Sequence, residues 1–123
     1  MIRVLVLTND LLFGSRIQGD LSAAGKEVEL IADQARLRAR LAESERPGAN
    51  MLIVDLTDER LDGVGVVGAL SAEGALGSLK TLGFYSHVDV VARERAEQAG
   101  FDLVVPRSRM AREGAALVIG LVG

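Results

Sequence analysis

Cysteine and tryptophan are absent from the 123-residue chain, and its aromatic side chains are limited to three phenylalanines and one tyrosine. Without cysteine there is no disulfide, no thiol nucleophile and no Cys-ligated zinc or iron–sulfur centre, a composition compatible with a reducing cytosol. With so few rings the core must be built from Val, Leu, Ile and Ala. That suits parallel strands covered by helices on both faces better than an aromatic-rich sandwich. The sole histidine, His87, has no second His or Cys with which to form a metal cluster. Excess positive charge is missing too: 14 basic and 17 acidic residues leave a formal charge of -3, which gives no attraction to free nucleic acid or to an anionic membrane. Charges interrupt every apolar run short of a membrane span, and Met1-Ile2-Arg3 leads straight into a strand-like segment. Neither a signal peptide nor an anchor is expected, and a cytoplasmic location is.

What is present describes a folded domain. The hydrophobic fraction is 49% and the charged fraction 25%, and a chain of this length supports one core, so residues 1–123 are expected to form a single domain. Val4 to Leu7 reads as a buried strand, followed by Phe13, Ile17 and Leu21 on one helical face that stops at Gly25. Val28 to Ala32 is the second strand. Ala35 to Ser44 is a helix with Leu37 and Leu41 inward and Arg36 and Arg40 on a solvated stripe, ended by Pro47-Gly48. Met51 to Val54 is the central strand and terminates in Asp55. Val64, Val67 and Ala75 or Leu76 are inward positions of a glycine-rich third helix, and Leu79 to Phe84 is a fourth strand. Val91, Arg95 and Ala99, with Ala92 and Ala96 beside them, outline a fourth helix. Leu103 to Val105 is the last strand, followed by Pro106 and by a helix capped by Ser108, with Ala111, Ala115 and Val118 on one side that frays at Gly120 and Gly123. Strand and helix alternate five times, which favours a parallel, doubly wound sheet whose crevice lies at the carboxyl ends of the strands.

Asp55 is therefore delivered to that crevice. A half-exposed carboxylate on a rigid strand end can accept a phosphoryl group or ligate a hard cation. It can equally cap the following loop or satisfy backbone donors.

The segment Met51-Leu52-Ile53-Val54-Asp55, with Asp62-Gly63 at the seventh and eighth positions after the aspartate, resembles the middle of a bacterial two-component response-regulator receiver domain. Val4 to Leu7 with the Phe13 to Gly25 helix is similar to that family's first unit, and Gln98-Ala99-Gly100-Phe101-Asp102-Leu103-Val104-Val105 to its final helix-to-strand passage. The resemblance implies a flavodoxin-like, five-stranded parallel sheet of order 2-1-3-4-5 with helices on both faces. It implies that Asp55 stands where receivers accept phosphoryl from a histidine kinase, with magnesium held by this aspartate and by acidic residues after the first strand.

Around Asp55 the chain departs from that pattern. Thr8 and Asn9 occupy the places of the acidic pair and Asp10 follows, leaving Asn9, Asp10 and Asp55 as the candidate set for weakly bound Mg2+. Tyr85, with Ser86 beside it, falls where the family carries a hydroxyl switch. Arg107, or Pro106 after one deletion, falls where it carries lysine; Arg107 keeps the charge but not the geometry or solvation. The resulting expectation is an atypical receiver working through protein contacts without conventional phosphorylation, and not an enzyme. Two alternatives stay open: a receiver phosphorylated on Asp55, and a small metal-dependent phosphohydrolase on the same fold.

By the same resemblance, the face formed by the fourth and fifth strands and their helices docks another protein or a second copy. Arg93, Arg95, Arg109 and Arg112 are its candidate residues, although Glu94, Glu97 and Glu113 among them also fit an ordinary solubilising surface. Gly63-Val64-Gly65-Val66-Val67-Gly68 has the spacing of a dinucleotide-binding motif, but that motif follows a first strand directly. Small residues that let the helix backbone approach the sheet explain it more simply. For Ser86, His87 and Asp89 a capping or partner-contact role is expected. Arg36, Arg38 and Arg40, offset by Glu43 and Glu45, read as a solvated helix face.

Overall fold

A computed structural model describes residues 2–43 and 48–122 of the chain. Its elements run β1 (Arg3–Leu7), α1 (Leu11–Ala23), β2 (Glu27–Ile31), α2 (Gln34–Ala42), β3 (Met51–Asp55), α3 (Gly63–Ala72), β4 (Lys80–Tyr85), α4 (Val90–Gln98), β5 (Leu103–Pro106) and α5 (Arg107–Val122). The strands form one parallel sheet in the order β2-β1-β3-β4-β5. This is the flavodoxin-like architecture and strand order expected from the sequence. Ser44, Glu45, Pro47 and Gly123, named above as helix-ending or charge-balancing residues, lie outside the described residues.

The two-residue period of the strands divides the core into two layers. Val4, Val6, Met51, Ile53, Leu82 and Phe84 pack with Phe13, Ile17 and Leu21 of α1 and with Met110, Leu117 and Val118 of α5. Leu5, Leu7, Leu52 and Val54 point to the opposite face, against Leu37 of α2, Val66, Val67 and Leu70 of α3, and Ala96 of α4. All five β3 residues are buried, because β1 and β4 flank the strand and helices cover both faces. Pro106 ends β5, an edge strand, opposite Tyr85, a place where a residue without an N–H is tolerated.

Tertiary packing overrides the periodic reading in several helices. Arg40, expected on a solvated stripe, is 6% exposed and holds Glu29 of β2 through Nε at 3.1 Å and Nη2 at 3.0 Å. The carboxylate of an edge strand lets this long side chain lie down against the sheet. Helix α3 stops at Ala72, so Ala75 is exposed and only Leu76 of that pair packs inward. In α4 the inward residue is Ala96, with Ala92 and Ala99 half-buried, while Val91 is 64% exposed and Arg95 is also outside. Ser108 lies within α5, since the helix begins at Arg107, and Gly120 lies inside it as well.

Close backbone approach is confined to particular glycines. Asp62 has φ 46°, the only positive value at a non-glycine among the described residues; its carboxylate accepts from the Gly65 N–H and caps α3. A Cβ on Gly63 would stand 2.5 Å from Cγ1 of Val54, so Asp62-Gly63 turns the chain and lets α3 start directly against β3. Gly68 has open space around its Cβ position.

Gly83 in β4 is the second tight position: an added Cβ would meet Leu56 Cδ1 at 2.7 Å and the Phe101 ring at 3.1 Å. Gly83→Ala is expected to destabilise the fold by about 1–3 kcal/mol through overpacking. Gly68→Ala, at an unobstructed helix position, should stabilise it by about 0.5–1 kcal/mol. Urea unfolding checks both; shifts of the same sign would contradict this packing.

Candidate functional site

Asp55 was expected to be at least half-exposed, yet it is 2% exposed. An ionised carboxylate taken out of water needs hydrogen-bond donors in place of its solvation shell. Two threonines supply them. Thr8 Oγ1 donates to Asp55 Oδ2 at 2.7 Å, while the Thr57 N–H and Oγ1 donate to Oδ1 at 2.8 and 2.6 Å. The Thr57 bonds form an Asx-type turn that bends the chain out of β3. Thr8, itself 4% exposed, also accepts from the Asp10 N–H at 3.1 Å. One network thus joins the carboxyl ends of β1 and β3 to the start of α1. By its charge Thr8 stands only as a missing acid in the sequence, whereas the Asp-x-Thr spacing of Asp55 and Thr57 is a signal for such a turn.

Asn9 and Asp10 are engaged elsewhere. The Asn9 side-chain amide donates a long 3.4 Å bond to Asp58. Asp10 caps α1 by accepting from the Phe13 N–H at 3.0 Å, and its second oxygen accepts from Arg107 Nη2 at 2.8 Å. The Arg107 guanidinium lies over the Phe13 ring, 4.2 Å from its centroid, a cation–π contact that fixes the arginine from a second direction. Among the described residues, no group of three or more His, Asp or Glu side chains is arranged to hold a metal ion. Magnesium favours carboxylate oxygens free to complete an octahedron. Asn9 turns to Asp58 and both Asp10 oxygens serve the helix cap and Arg107, so neither is gathered with Asp55 and this donor set does not fit that ion.

Tyr85 and Ser86, adjacent in sequence, part company. Tyr85 is buried at the end of β4 and borders a cleft with Arg93, Glu97, Phe101 and Asp102. Ser86 instead lines a cavity on the α1–α5 side, together with Thr57 and Arg107. The candidate interface arginines also divide. Arg93 pairs with Glu97 at 2.8 Å and Arg109 with Glu113 at 3.4 Å, with Arg112 4.0 Å from the same Glu113. The hydrogen bond to Glu97 holds the Arg93 guanidinium above its ordinary pKa. Arg95 lines the α3–α4 groove with Asp58, Asp62 and Asp89. Asp89 caps α4, accepting from the Ala92 N–H at 3.0 Å.

Replacing Thr8 by Val removes the hydroxyl at nearly constant shape and leaves a buried carboxylate oxygen short of its donor. The expected loss is about 1–3 kcal/mol, whereas Thr8→Ser keeps the donor and should lose about 1 kcal/mol from the missing methyl. Chemical denaturation compares the two, and equal losses would show that the hydroxyl is not what holds Asp55.

No protein-family model matches the sequence, and no curated protein does. Solved structures do match. A putative response regulator from Chloroflexus aurantiacus is 17% identical with a TM-score of 0.85, over 98% of this chain and 97% of that one. The receiver domain of response regulator 1452 from Francisella is 14% identical with a TM-score of 0.82, over 99% and 97%. A response-regulator receiver domain protein from Methanospirillum hungatei is 17% identical with a TM-score of 0.80, over 98% and 92%. With the 2-1-3-4-5 sheet and its covering helices, these matches establish that the chain has the fold of a response-regulator receiver domain.

Proposed function

We propose that this chain is a divergent receiver that signals by associating with another protein or with a second copy of itself, without conventional phosphorylation of Asp55. One observation carries this: the carboxylate at the phosphoacceptor position is buried, and both of its oxygens accept hydrogen bonds from Thr8 and Thr57. For Asp55 to act as a nucleophile, an oxygen already held by a threonine would have to turn a remaining lone pair toward the incoming phosphorus. No acidic residue replaces Thr8 to bring a cation alongside. A histidine kinase then serves as a docking partner rather than as a phosphoryl donor. The alternative, phosphoryl acceptance on Asp55, draws on the position of this residue at the end of β3 in the receiver fold.

The association surface is the α4–β5–α5 face. Arg93, Arg109 and Arg112 alternate there with Glu97 and Glu113. Exposed pairs of this kind add little to stability, but a mixed pattern of charge selects orientation and partner. Arg95, in the α3–α4 groove, belongs to a separate surface. A cytoplasmic setting suits this role, and no helix among the described residues is long and apolar enough to cross a membrane.

Incubation with acetyl phosphate and magnesium, followed by intact mass measurement of wild type and Asp55→Asn, tests the chemistry. Unchanged mass in both is expected; an Asp55-dependent gain of one phosphoryl group would overturn the proposal. Sedimentation across a concentration series, with and without a candidate kinase, tests the output. Arg93→Glu with Arg109→Glu is expected to weaken association at least about fivefold. A chain that stays monomeric alone and with the kinase would count against it.

A further inference from the structure

Helices α3 and α4 cover the face of the sheet opposite α1 and α5, and a groove of about 330 Å³ opens between their first turns. Half-buried Leu56, Val64 and Ala92, with exposed Val91, give it an apolar lining. Asp58, Glu59, Asp62 and Asp89 bring four carboxylates to it, against a single cation, Arg95.

Two observations set this groove apart from the rest of the surface. Elsewhere acidic side chains are neutralised locally: Glu27, Asp33, Glu73, Glu97 and Glu113 each pair with an arginine. None of the four groove carboxylates is in an ion pair among the described residues, and neither is Arg95. Asp58, Asp62 and Asp89 each accept one backbone N–H at Oδ1, which leaves lone pairs on all three for another donor. The second observation is apolar. Val88, Val90 and Val91 stand within four positions of one another, around Asp89, and all three are exposed, Val88 by 75%. Single exposed aliphatic residues are ordinary, but a cluster of them beside a groove marks a surface that a partner covers.

We propose that the α3–α4 groove and these valines are a docking site for a basic segment of a partner protein, one that places a lysine or arginine next to an aliphatic side chain. Charge complementarity selects this occupant. Unneutralised carboxylates attract and orient a cationic segment, and they repel phosphate groups, nucleic acid and an anionic membrane. The volume is at the small end of binding sites, which suits one or two inserted side chains. The valines give the aliphatic neighbour apolar area to cover, while Arg95 can donate to a main-chain carbonyl of the segment. A second copy bound symmetrically through the same patch would set four carboxylates against four. This surface shares only α4 with the α4–β5–α5 face, and its occupation does not depend on the chemistry of Asp55.

The peptide Lys-Leu-Arg-Lys-Leu-Arg, blocked at both ends, is a suitable probe, titrated into isotope-labelled protein and followed by amide chemical shifts. Its controls carry glutamate at every basic position, or serine at both leucines. Saturable shifts at Glu59, Val64, Asp89, Val91 and Ala92 are expected with the basic peptide and none with the acidic one. The serine peptide should bind at least about fivefold more weakly. Raising salt from about 0.1 to about 1 M shortens the screening length from about 10 to about 3 Å and should weaken binding at least about tenfold. Glu59→Gln and Asp89→Asn each remove one charge and should each weaken binding about threefold. Asparagine caps a helix as well as aspartate does, and the exposed Glu59 side chain has no partner to lose, so both variants keep the fold. Asp20→Asn, on the exposed α1 surface, should bind as wild type does. Lack of saturation, equal affinity of either control peptide, or wild-type affinity in both groove variants would overturn the proposal. Sedimentation without peptide tests the other occupant: self-association that Glu59→Gln and Asp89→Asn weaken would assign the groove to a second copy and overturn the basic-partner reading.

Discussion

A carboxylate buried at the end of the central strand has to be satisfied by the protein, and much of the functional end of this molecule follows from how that is done. Thr8 comes from the adjacent strand and Thr57 from the loop that leaves β3, so the three hydrogen bonds to Asp55 tie two strand ends and a loop together. In a low-dielectric surrounding each of these bonds is stronger than it would be in water, and the loss of one leaves a buried carboxylate oxygen short of a donor. Thr8 extends the same network to the first turn of α1 through the Asp10 N–H. The carboxylate is thus a structural centre of this end of the sheet.

The remaining crevice residues are organised by a second, exposed set of contacts. Asp10 caps α1 and clamps Arg107, which covers Phe13, whose ring packs 5.1 Å from that of Phe84. The chain thereby uses an acidic residue beside the crevice to orient an arginine at the start of α5. At the other end of the sheet, Asp102 accepts from the Thr81 N–H at 2.8 Å and Phe101 packs onto Gly83, so the turn before β5 is pinned to β4. These contacts join β4, β5 and α5 to both the cavity and the outer α4–β5 cleft.

Several positions show why residue type alone misassigned an environment. An arginine in a charged helix reads as solvated, yet Arg40 lies against the sheet because Glu29 meets it from an edge strand. Val91 and Arg95 fit a helical period, yet α4 turns its alanines inward, with Ala96 fully buried and Val91 64% exposed. Tyr85 and Ser86 differ by one step in the chain and face different cavities, since the strand ends between them and successive side chains diverge.

Strand and helix order, the parallel sheet and the placement of Asp55 at the end of β3 were all legible in the sequence. They depend on local periodicity, on turn chemistry and on crossover handedness, each of which acts over short stretches of chain. The strand order 2-1-3-4-5 was anticipated too, from the resemblance to receiver domains. The burial of Asp55, its occupation by Thr8 and Thr57, the capture of Asp10 by Arg107 and the separation of Tyr85 from Ser86 were decided only by tertiary structure. Each depends on which residues from distant segments arrive within hydrogen-bonding distance. Thr8 and Asp55 are 47 positions apart and Asp10 and Arg107 are 97 apart, and no local pattern specifies the few ångströms that determine whether such groups meet.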